Sequence, residues 1–150
     1  MSQSLSNILV HIIFSTKLSK PLIAHAIKNE LYSYIASILK DCNCSPIIIG
    51  GIEDHVHVLC KLSKTRSMSS VIEDVKKKSS KWIKTRGVEY KDFYWQNGYG
   101  AFSIGKSQVN TLKKYIQNQE EHHRKKSFKE EFLEILNRYG VEYDERYLWD

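Results

Sequence analysis

Residues 44–62, CSPIIIGGIEDHVHVLCKL, carry the reading on which the fold turns. Two β-branched runs, 44–52 and 55–62, flank a tight turn at Glu53-Asp54, as two paired strands would. Pro46 has no N–H for a ladder, which puts the first run at a sheet edge. Along the second run the side chains alternate between faces. Val56, Val58, Cys60 and Leu62 fall on one face; His55, His57, Leu59 and Lys61 fall on the other. The apolar set belongs against helices, so the two histidines are expected on an open face, roughly 6–7 Å apart along the backbone.

The flanking sequence supplies the rest of a sheet. Residues 5–15, LSNILVHIIFS, are continuously apolar and read as a central strand, with His11 on the same face as Asn7. From a cap at Ser19 through Pro21, apolar residues recur at helical spacing to about Lys40. A second helix is expected over Ser67–Arg86, with a capping box of Ser70 and Glu73 and an apolar stripe through Met68, Val71, Ile72, Val75, Ser79, Trp82 and Ile83. Residues 94–104, YWQNGYGAFSI, read as an aromatic strand. A third helix runs from Ser107 through Tyr115 and Gln119 on a stripe of Val109, Leu112 and Ile116, and Ser127 with Glu130 opens a fourth that Gly140 stops. The tail 141–150 is irregular but aromatic enough to dock. The order β-α-β-β-α-β is that of an α+β, ferredoxin-like or RRM-like antiparallel sheet with helices on one face. Its first and third strands are central, and the second (45–52) and fourth (94–104) are edges. No repeat or linker appears, so residues 1–150 read as a single domain, with a core of about 5–120 and a C-terminal helix and tail of about 121–150.

Composition narrows the class. The 150 residues are 41% hydrophobic and 27% charged with 2 Pro and 7 Gly, which excludes disordered and fibrous chains. No apolar run nears the ~18 residues of a membrane span. Three cysteines, Cys42, Cys44 and Cys60, are too few for a disulfide framework or zinc knuckle. A reduced, cytoplasmic protein is expected. Formal charge is +6, and it is concentrated: residues 61–86 hold nine basic groups, among them Lys76, Lys77, Lys78, Lys81, Lys84 and Arg86, against two acidic ones. A local basic stripe fits a polyanion such as nucleic acid, or simply a solvated lysine-rich helix face.

Two spacings carry chemistry. His55-Val56-His57 can converge on one cation or one phosphate, while Tyr115 and Gln119 are four apart and share a helix face. A tyrosine hydroxyl can form a phosphodiester with DNA, a reaction that calls for a metal to polarise the phosphate. His55-Val56-His57 followed by Tyr115-Ile-Gln-Asn-Gln119 resembles the histidine-hydrophobic-histidine (HUH) and Tyr-x-x-x-Gln motifs of the small single-tyrosine transposases of bacterial and archaeal insertion sequences. HIIFSTK (11–17), GIEDHVHVL (51–59), YWQNGYGAFSI (94–104) and YIQNQEEHHRKKSFKEEF (115–132) each resemble segments of that family, in order. The resemblance implies Mg²⁺ or Mn²⁺ held by His55, His57 and Gln119; by position alone His122, on the helical face of Tyr115 and Gln119, and the adjacent His123 are alternatives to Gln119. It also implies attack by Tyr115 on single-stranded DNA, giving a 5′-phosphotyrosine and a free 3′-OH, and a homodimer that recognises hairpins at element ends. The stripe from Lys76 to Arg86 then contacts the DNA backbone. A non-catalytic nucleic-acid-binding module and a domesticated relative that processes repeated hairpins are the alternatives. The module would place stacking aromatics where this chain places His11, His55 and His57.

Overall fold

The computed structural model describes residues 2–149. Four antiparallel strands form one sheet: β1 (Leu9–Ser15), β2 (Ser45–Ile52), β3 (His55–Lys61) and β4 (Gly100–Ser103), in the order β2-β3-β1-β4. The two expected edges and the central pair are as the sequence suggested. β4 is shorter than the 94–104 run: Gly98 takes a positive φ of 87°, and the earlier residues join only the end of β1, by an isolated bridge of Trp95 to Thr16 and Gln96 N–H to Ser15 O at 2.8 Å. The register puts His57 opposite Ile13 and His55 opposite Ser15. A bulge in β2 between Pro46 and Ile48 absorbs the missing proline N–H.

On one face lie α1 (Lys28–Asp41) and α2 (Met68–Lys84). They enclose a core with Val10, Ile12, Phe14, Val56, Val58 and Cys60. The first helix begins well after Ser19. Leu18 and Ser19 adopt positive φ (57° and 54°), and the preceding segment is tied by Thr16 N–H to Asp54 O at 2.9 Å and Ile23 N–H to Glu53 O at 2.9 Å. Those residues therefore brace the turn before His55 and cannot start a helix. α2 is capped by Ser67, whose Oγ accepts from Ser70 N–H at 3.2 Å; the expected Ser70–Glu73 box lies inside the helix. The three cysteines are buried and free.

The second face is not open. α3 (Val109–Gln117), α4 (Gln119–His122) and α5 (Phe128–Arg138) cover it, so every residue of β1 is buried. A strand covered on both sides reads as a near-continuous apolar run, as residues 9–14 do apart from His11. The third helix starts at Val109, after a 3₁₀ turn at Lys106–Gln108, and breaks at Asn118, where ψ is 23°. Of its expected stripe only Ile116 is fully buried. α5 is capped as expected, Ser127 Oγ accepting from Glu130 N–H at 3.2 Å, and the chain leaves it through Gly140 at φ 64°. Its Phe128, Phe132, Ile135 and Leu136 form a second core with Ile13 and Phe102. The tail contributes α6 (Glu145–Leu148), and Leu148 and Trp149 pack on that core; Asp150 lies outside the described residues. No helix among the described residues is long and apolar enough to cross a membrane.

The approach of α3 depends on a residue without a side chain. A Cβ at Gly50, the Cα partner of His57, would lie 2.7 Å from the backbone oxygen of Ile116. Gly50→Ala should push α3 off the sheet and cost about 1–3 kcal/mol. Urea denaturation should show the lower midpoint, and an unchanged midpoint would mean that α3 packs otherwise.

Candidate active site

His55 and His57 point from β3 into the space between the sheet and the second helical layer, and both are 0% exposed. α4 brings Gln119, α5 brings Glu131, and the segment after α4 brings His123. His55 Nε2 lies 2.8 Å from Gln119 Oε1 and 3.4 Å from Glu131 Oε1. His57 Nε2 is 3.1 Å, and His123 Nε2 3.2 Å, from the same Glu131 oxygen. The other carboxylate oxygen accepts from Gln119 Nε2 at 3.1 Å and from the Tyr115 hydroxyl. The Tyr115 ring lies edge-on to His57, with centroids 5.9 Å apart, and packs against His122 at 4.5 Å. One chain thus brings its own Tyr115 to its own histidines.

Each imidazole is turned by its outer nitrogen. His55 Nδ1 meets Asp54 Oδ1 at 2.7 Å, His123 Nδ1 meets Lys126 O at 2.7 Å, and His57 Nδ1 meets His11 Nε2 at 2.8 Å. As they stand the inner nitrogens of His55, His57 and His123 donate to Glu131; with an outer N–H kept on Asp54 or Lys126 O, loss of the inner proton would turn a lone pair to the centre, the arrangement found around metal-bound histidines. His55, His57 and Glu131 each offer a ligand atom, all within 4.8 Å of one another. Two imidazoles, a carboxylate and the Gln119 amide oxygen form a mixed N/O donor set suited to a divalent cation.

Burial sets the charges. It opposes the charged form of His55, but hydrogen bonds and charge from Asp54 and Glu131 outweigh it and raise the group to about 9. Burial carries His57 down to about 4, and burial with the charge of His57 carries His11 down to about 3. The Glu131 carboxyl is pushed up by burial, yet hydrogen bonds from His123, His55 and His57 overcome this and hold it far below the usual range. Tyr115 is pushed well above the usual phenol range, first by burial and then by the hydrogen bond and charge of Glu131.

His55, His57, Gln119 and Tyr115 therefore lie together, the two pairs that spacing put side by side meeting across the sheet. Glu131 was not foreseen. Its signal was a carboxylate between Phe128 and Ile135 on the apolar stripe of the fourth helix, where buried carboxylates need partners. The lysines behave differently, because α2 lies on the far face of the sheet. Lys77, Lys78, Lys81 and Arg86 are exposed. Lys84 sits 4.1 Å over the Tyr94 ring. Lys76 donates to Gln96 O at 2.7 Å and to Gly98 O, so its ammonium holds the 94–99 loop.

The site therefore sets a histidine pair on a ferredoxin-like sheet with a tyrosine held over it. The chain belongs to the IS200-like transposase family, whose model matches residues 4–119. The match ends at Gln119, and α5 with Glu131 lies beyond it. Comparison with curated protein sequences gave no significant match. Among solved structures, the fold is similar to a protein of Deinococcus radiodurans R1 proposed to be a transposase (15% identity, TM-score 0.61, covering 79% of this chain and 98% of that one). It is also similar to a REP-associated tyrosine transposase bound to a REP hairpin (15% identity, TM-score 0.61, covering 82% and 74%).

The donor set makes a prediction about metal. Mn²⁺ at about 100 times its Kd should stabilise the protein by about 2.7 kcal/mol, read as a rise in Tm. His57→Ala should abolish the rise. Glu131→Ala and Gln119→Ala, compared side by side, should identify the oxygen ligand by a 10- to 100-fold weaker metal response. An undiminished response in His57→Ala would place the metal elsewhere.

Proposed function

We propose that this transposase cleaves and rejoins single-stranded DNA through a 5′-phosphotyrosine on Tyr115, without ATP. The observation that carries the reading is the convergence of three inward imidazole nitrogens, the Gln119 amide and the Glu131 carboxylate beside the Tyr115 hydroxyl. His55 and His57, with Gln119 or Glu131 as the oxygen donor, hold Mg²⁺ or Mn²⁺. That ion supplies Lewis-acid polarisation of the scissile phosphate and charge to offset a phenolate.

The residues of the chain do the remainder. Asp54, His11 and Lys126 O fix the orientation of the imidazoles. Tyr115 Oη attacks phosphorus, the bond to the 3′ oxygen breaks, and the strand leaves as a free 3′-OH. Glu131 Oε2 is the acceptor nearest the tyrosine proton. A 3′-OH from another strand then attacks the phosphotyrosine, re-forming a phosphodiester and returning the phenol. The number of high-energy bonds is conserved.

The DNA partner in this reading is a hairpin-bearing single strand at element ends. The exposed lysines of α2 contact its backbone, a contact that weakens as salt rises. A homodimer belongs to the reading, with the unpaired edges of β2 and β4 as routes to association. The non-catalytic alternative would use aromatics on an open sheet face for base stacking, and that face is covered by α3 and α5.

The test uses single strands copied from both sides of the gene. Wild type with Mn²⁺ should give a covalent protein–DNA adduct on a denaturing gel, while Tyr115→Phe should lose it by at least about 10³-fold, the loss expected on removing a nucleophile. Equal adduct from Tyr115→Phe would overturn the assignment of the nucleophile. Binding without adduct on either strand would favour the binding module.

A further inference from the structure

Between β1, the 94–99 loop and the C-terminal segment lies a cavity of about 500 Å³. This is within the range of small-ligand sites. We infer that it receives an unstacked nucleobase of the single strand, next to the bond that Tyr115 breaks; the inference rests on the DNA reading above.

Three features commit the cavity to a base. Its walls include the rings of Tyr99, Tyr143 and Trp149. Tyr99 is 42% and Tyr143 39% exposed, too open to serve as core. Flat aromatic faces with a cation nearby form a stacking platform for bases, which every base can use. Here the cation is Lys129, 5.2 Å over the Trp149 ring. The loop amides of Gln96 and Asn97 add donors and acceptors for a base edge, and Gln96 is fixed by accepting from Leu18 N–H at 2.9 Å.

Position supplies the second part of the argument. Ser15, on the cavity wall, is the Cα partner of His55. Phe128, also on the wall, stacks on the His55 imidazole with centroids 4.5 Å apart and planes at 27°. One ring therefore separates the cavity from the proposed metal ligands. On its outer side the 94–99 loop is bound to α2 through Lys76 and through Lys84 over Tyr94. The loop joins the basic face to the histidine face, and the cavity lies along that route. Part of the wall comes from residues 128–149, beyond the segment 4–119 that the family model matches.

The experiment compares short homopolymers of dA, dC, dG and dT with an abasic strand of equal length and charge, by fluorescence anisotropy. Wild type should bind at least one base-bearing strand about ten-fold more tightly than the abasic strand, the effect of roughly one stacked base. Tyr99→Ala and Tyr143→Ala, both exposed and each expected to melt near wild type, should reduce that advantage to about two-fold and leave the abasic affinity unchanged. An advantage that persists in both variants would put the base elsewhere and overturn the inference. So would equal wild-type binding of all strands, which would leave an apolar partner such as a protein segment as the occupant. If wild type binds no strand of any kind, the DNA reading falls and takes the cavity's base with it.

Discussion

A carboxylate taken out of water needs donors on every side, and Glu131 has them. Its exposure is 2%, and from α5 it is surrounded by His55, His57, His123, Gln119 and Tyr115, drawn from β3, α3, α4 and the segment after α4. Removing one partner of such a buried set typically costs 3–5 kcal/mol, because an uncompensated charge is left behind. The same ring of groups locks α5 onto the sheet, closes the second face and defines the space over the histidines. Without a cation the carboxylate opposes ionisation of Tyr115, so the charge that restrains the nucleophile is also the charge that a divalent ion would offset.

Closure of both faces has a consequence for the DNA. The histidine compartment and the lysines of α2 lie on opposite sides of one sheet, so a strand that touches both must pass round it. The 94–99 loop spans that distance: Lys76 grips its carbonyls from one side, and Gln96 and Tyr99 line the cavity on the other. Lys76 thereby acts on the shape of the loop, whereas Lys77, Lys78 and Lys81 are exposed.

Much of this was legible in the sequence because it depends on local rules. Alternation in 55–62 placed His55 and His57 together, β-branched runs located the strands, and the Ser127–Glu130 cap located α5. The failures were long-range. Residues 9–14 were read as central, but the second helical layer that buries them on their other side is made of segments about a hundred residues away. Ser19 looked like a cap because nothing local shows that residues 16–23 are tied to the Glu53-Asp54 turn. Ser70 lost to Ser67 by three residues, an ambiguity of a serine-rich helix start. Glu131 escaped because a carboxylate on an apolar stripe gains its meaning only from the imidazoles across the fold.

The central claim is that His55, His57 and an oxygen from Glu131 or Gln119 hold a divalent ion beside Tyr115. Crystals soaked with Mn²⁺ and measured at a wavelength where manganese scatters anomalously address it directly. The account predicts an anomalous peak bonded to Nε2 of both His55 and His57, at roughly 2.0–2.3 Å, the range for such bonds. A saturating soak with no peak between those nitrogens, or with the manganese elsewhere, would contradict it.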